Sequence, residues 1–117
     1  MDRRALKREY KERRRPMGVY RVRNIMNEKA LVGSSVDLTA VLNRHRAQLG
    51  MGLHPNRALQ KDWNELGSEA FAFEILDTLT ATDESGYDPS DDLRALEELW
   101  LDRLSPSGDQ GYNSKPK

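Results

Sequence analysis

Few of the 117 residues combine a reactive side chain with a placement that asks for a chemical reason. In the segment LRALEELWLDRL an apolar stripe runs through Leu93, Leu96, Trp100 and Leu104, and Glu97 stands at its edge, four residues after Leu93 and three before Trp100. Glu98 points outward. A carboxylate where Glu97 stands is costly to bury without a cation, a metal or several donors beside it, whereas a boundary residue reaching solvent would need none of them. His45 replaces an apolar residue in a second stripe, Leu38, Val41, Leu42, His45 and Leu49, where a packed core histidine competes with a base or a ligand. His54 lies nine residues further on, just before Pro55, and cannot share a helical face with it. No third His and no Cys completes a metal-ligand spacing, so a zinc site is not expected. Arg21, Arg23, Arg44, Arg46, Arg57 and Lys61 would suit phosphate contacts if folding gathers them, and each alone would suit a solvated face. P-loop, GxGxxG and GxSxG patterns are absent.

These residues need elements to hold them. Residues 2 to 15, DRRALKREYKERRR, have the helix formers and i,i+4 charges of a short basic helical arm, stopped by Pro16 and Gly18. GVYRVRN then alternates as a strand, with Val19, Arg21 and Arg23 on one face and Tyr20 and Val22 on the other. A turn at residues 24 to 28 leads to the run Ala30, Leu31 and Val32, which completes a hairpin. Asp37 caps a helix to about Gln48, and Asn56 caps a second, RALQKDWNEL, with Leu59, Trp63 and Leu66 at helical spacing. FAFEILDTL reads as a third strand with Phe71, Phe73 and Ile75 inward; an acidic loop follows over residues 80 to 91, and Asp91 or Asp92 caps the last helix. The resulting order is a small three-stranded α/β layer, too short for a doubly wound sheet. The domain limits are an arm at 1–16, a domain at 17–113 and a tail at 114–117.

The composition is 37% hydrophobic and 32% charged, which allows one modest core and no membrane span. The lack of cysteine removes disulfide scaffolds and thiolate chemistry, and fits a cytoplasmic location. The net charge of zero hides a gradient. Residues 1 to 61 hold 15 Lys and Arg against 5 Asp and Glu, while residues 62 to 117 hold 4 against 14. Such polarity suits a nucleic-acid face on one half, and it also allows a homodimer formed by opposite halves.

Taken in order, Gly18-Val19-Tyr20, Leu31-Val32-Gly33, LNRH, GLHPNRALQKDWNELG, FAFEIL, LEELWLDRL and Gly111-Tyr112-Asn113 resemble the GIY-YIG nuclease family over about residues 17 to 113. The short basic arm is similar to that of a small bacterial single-domain type. The resemblance implies a three-stranded sheet, built from an N-terminal hairpin and a third strand and flanked by helices, that cleaves DNA phosphodiesters with one divalent metal, Mg²⁺ or Mn²⁺. It puts Tyr20 at the tyrosine that helps to activate water, Glu97 at the metal-binding glutamate and Asn113 at the terminal asparagine of the site. His45 falls where many relatives have a histidine near the active site. One glutamate suffices for a hard Mg²⁺ ion, which takes its other oxygens from water and phosphate.

Two departures stand out: Leu31 occupies the second tyrosine position, and Val41 occupies the arginine position. An arginine on a transferring phosphoryl group is worth on the order of 10³ to 10⁵ in rate, about 4 to 7 kcal/mol. Arg44, one helical turn after Val41, is a candidate replacement. The expectation is a nuclease-like, DNA-binding protein of weakened catalysis; the alternative is a catalytically inactive nucleic-acid-binding or transcription-regulatory module on the same fold.

Overall fold

The computed structural model of the chain describes residues 16–80, 86–106 and 111–113. The basic arm up to residue 15, the acidic stretch 81–85 and the tail 114–117 lie outside the described residues. Three antiparallel strands form one sheet in the order β2-β1-β3: β1 is Met17–Asn24, β2 is Ala30–Ser35 and β3 is Phe71–Leu79. Helices α1, Leu38–Met51, and α2, Arg57–Leu66, follow the hairpin, and α3, Ser90–Leu104, follows the third strand.

The alternation expected in β1 is present and divides the core in two. On one face Val22 joins Leu49, Leu59, Phe71 and Tyr112, and Tyr20 joins Leu38, Val41 and Leu42, so α1 and α2 cover this side. On the other face Val19, Ala30 and Val32 meet Leu96, Trp100, Leu101 and Leu104 of α3. The central strand is thus buried on both sides. Asp37 and Asn56 cap α1 and α2 through their side chains, accepting from the backbone N–H of Ala40 and Leu59. The stripe expected for α1 is the buried set, although that helix continues past Gln48 to Met51 before Gly52 turns left-handed.

Three expectations need correction. Ile75 is 48% exposed, not inward: it pairs with Tyr20 in the regular register, just before the bulge that separates it from Asp77, but the cluster around Tyr20 takes Phe73 from β3 and not Ile75. Leu66 is likewise exposed at the end of α2, and the buried position in its middle is the polar Gln60. Helix α3 begins at Ser90, not after Asp91 or Asp92, because the Asp88 carboxylate accepts from the Ser90 backbone N–H and starts the turn earlier.

Candidate functional site

Tyr20 sits at the middle of β1 opposite Gly33 of β2. The absence of a side chain at Gly33 is what admits its phenol: a Cβ there would stand 2.6 Å from Tyr20 Oη. Gly18, two residues earlier with φ of 154°, lets β1 pass against the Asp77 backbone of β3 where any Cβ would collide. The two glycines of the short motifs therefore have steric reasons.

Tyr20 is 7% exposed, and its Oη lies 2.9 Å from His45 Nε2 on α1. His45 Nδ1 in turn lies 2.7 Å from His54 Nε2, with the two rings stacked 5.0 Å apart. His54 comes from the loop between α1 and α2, where its Nδ1 accepts from the Asn56 backbone N–H at 3.0 Å. A histidine that could not share a helical face with His45 reaches it through the turn after Gly52. Burial, with His54 and Arg44 nearby, lowers the His45 pKa to about 4, and burial also holds His54 below its usual range. Both rings are neutral at pH 7.

Burial pushes the Tyr20 phenol up; the Arg44 guanidinium works against this, and the Glu97 carboxylate adds to it. Arg44 is exposed on α1 and acts electrostatically on Tyr20, His45 and His54 together. Glu97 projects from α3 on the opposite face of the sheet. Burial raises its pKa, and hydrogen bonds from the side chain and backbone of Ser34, next to Gly33, oppose the rise. Tyr20 thus contacts His45 and lies within electrostatic reach of both Arg44 and Glu97.

Asn113 lies at the outer edge of β2. Its Oδ1 accepts from Val32 N at 2.8 Å, and its Nδ2 donates to Val32 O at 2.8 Å. Its amide is spent on holding the strand that carries Gly33. Arg21 and Arg23 converge on Glu74, each with Nε 2.8 Å from the same carboxylate oxygen, so a cross-strand partner offsets much of their charge. Arg46 lays its guanidinium over the Phe73 ring at 4.5 Å. Arg57 and Lys61 border an open depression of about 460 Å³ whose wall includes His54 and Gln60.

Sequence reasoning missed the part played by His54, Asn56, Gln60 and Ser34. Gln60 accepts from His54 N at 3.0 Å and donates to Leu49 O at 3.0 Å, tying the loop to α1. Asn56 donates to Tyr112 O at 2.7 Å. Only the capping role of Asn56 had a local signal; the remaining partners are distant in the chain or chemically ordinary. Leu31 and Val41 are packed into the two clusters that flank Tyr20 and Val22.

No family model matches the chain. It is 32% identical over 96 residues to Intron-associated endonuclease 1 of Enterobacteria phage T4, a match covering 82% of this chain and 36% of that protein. The chain therefore spans about a third of the length of the curated relative it matches. The solved catalytic domain of homing endonuclease I-TevI superimposes with a TM-score of 0.68 at 30% identity, over 86% of this chain and 99% of that one. A mutant of the same catalytic domain also gives a TM-score of 0.68, at 28% identity, over 84% of this chain and 92% of that one.

Proposed function

Since this chain belongs to the GIY-YIG nuclease family, we propose that it is a slow, divalent-metal-dependent endonuclease acting on DNA. The observation that carries the proposal is the hydrogen bond between buried Tyr20 and His45, with Arg44 and Glu97 both within electrostatic reach of the phenol. Tyr20 presents a phenol oxygen to the reacting phosphate, with His45 behind it. Arg44 supplies positive charge to an oxygen that burial would otherwise keep protonated. Exposed Arg46, Arg57 and Lys61 draw the backbone of the substrate to this face.

Glu97 is the residue that would hold the cation. Its carboxylate is partly buried and pushed toward the neutral form, a setting that a cation relieves. Among the described residues no group of three His, Cys, Asp or Glu converges. That donor set fits an ion such as Mg²⁺ or Mn²⁺, which keeps most of its waters, and does not fit zinc. The bound ion would supply Lewis-acid charge against the phosphate oxygens.

The test is nicking of supercoiled plasmid over a large protein excess, with Mg²⁺ or Mn²⁺. Slow nicking that chelator stops and that Glu97→Ala abolishes, with circular dichroism unchanged, is the expected result. Equal nicking by Glu97→Ala would refute the assignment of the metal ligand. A second reading, a nucleic-acid-binding module without catalysis, draws on Val41 and Leu31, which are packed in apolar clusters where the family resemblance calls for an arginine and a tyrosine. Salt-sensitive DNA binding with no nicking would favour it.

A further inference from the structure

The chain of contacts behind Tyr20 has a direction, and one end sets it. A backbone N–H can only donate, so the Asn56 N–H, 3.0 Å from His54 Nδ1, requires that nitrogen to be the bare acceptor. A neutral imidazole has one proton, which must then sit on His54 Nε2. That N–H faces His45 Nδ1 at 2.7 Å, making Nδ1 an acceptor and placing the His45 proton on Nε2. The His45 Nε2–H faces Tyr20 Oη at 2.9 Å. Run the other way, from a Tyr20 O–H donating to His45, the chain would end with a protonated His54 Nδ1 set against the Asn56 N–H.

We propose that His54 is a positioning residue that fixes His45 as a hydrogen-bond donor to the Tyr20 phenol oxygen, through a one-way relay starting at the Asn56 backbone. The relay is anchored on both sides of Pro55. Gln60 Oε1 accepts from His54 N at 3.0 Å, and the Asn56 side chain holds Leu59 N and Tyr112 O. The lowered pKa of both histidines keeps the rings neutral, which the relay requires. In this arrangement His45 cannot take the phenol proton. It stabilises negative charge on Tyr20 Oη instead and leaves the phenol O–H free for the reacting side. That consequence for cleavage rests on the nuclease reading, while the proton arrangement does not.

The experiment is a long-range proton–nitrogen NMR spectrum of the histidine rings in the full chain at pH 7, without metal or DNA. The expected result is a single His45 tautomer with Nε2 protonated and Nδ1 bare. His54→Phe keeps a stacked ring and removes the donor, and should bring up the Nδ1-protonated form of His45. His54→Gln retains an N–H donor and should restore the Nε2 form, together with any nicking rate lost in the phenylalanine variant. A wild-type His45 protonated on Nδ1, or a His45 spectrum indifferent to His54→Phe, overturns the proposal. If the phenylalanine variant does not fold, the wild-type tautomer decides alone. The stated tautomer in a protein that never nicks DNA would refute the nuclease reading and leave the relay standing.

Discussion

His45 carries the clearest pH consequence at the scale of single residues. Its pKa is about 4 in the folded chain against 6.5 for an ordinary histidine, so between these values the unfolded chain binds the extra proton. Stability is therefore complete above pH 6.5 and falls as the pH drops toward 4, by up to about 3 kcal/mol. Urea denaturation across this window should show that slope in the wild type and lack most of it in His45→Gln. Val41 offers a second residue-scale test. It is buried beside Tyr20, so Val41→Arg forces a guanidinium into an apolar cluster and should lower stability by about 1 to 3 kcal/mol. If the nuclease reading holds, the same change should raise plasmid nicking by at least about tenfold.

The elements depend on how the edge of the sheet is closed. Strand β2 is an edge strand whose outer side would leave backbone groups unpaired, and the segment 111–113 covers it. Tyr112 N donates to Ala30 O at 2.9 Å, and the Asn113 amide takes both backbone groups of Val32. Asn113→Ala leaves the buried Val32 N–H and C=O without these partners, at an expected cost of about 1 to 3 kcal/mol. Because Gly33 follows Val32 and supports the Tyr20 phenol, the variant should also slow nicking more than its stability loss explains. Hydrogen exchange at Val32 N–H, protected in the wild type and fast in the variant, is the direct check.

Across the whole molecule, the charge gradient along the chain becomes a difference between two sides of one sheet. Arg44, Arg46, Arg57 and Lys61 are exposed on α1 and α2, which cover the Tyr20 face. Asp91, Asp92, Glu98 and Asp102 are exposed on α3, which covers the other. A polyanion is accordingly expected to approach from the α1 and α2 side. Replacing Lys61 by alanine should weaken DNA binding evenly across sequences and reduce the slope of log affinity against log salt by about one. Arg21→Ala should reduce it less, since Glu74 already engages that side chain.

Much of this was legible from local chemistry alone. Alternation fixed the faces of β1, side-chain caps at Asp37 and Asn56 marked two helices, and a polar residue in an apolar stripe drew attention to His45 and Glu97, because each of these signals arises within a few neighbouring residues. The order of the short motifs was enough to indicate the family. What the sequence could not decide was which distant groups meet. His54 joins His45 across a loop, Asn113 closes a strand 81 residues away, Glu74 takes up two arginines of another strand, and Ile75, though paired with Tyr20, stays outside the cluster that takes Phe73. Pairings of that kind follow from chain crossing and strand register, which no local propensity encodes. The direction of the Tyr20 relay depends on one backbone N–H at Asn56, and only the tertiary fold places it against a histidine ring.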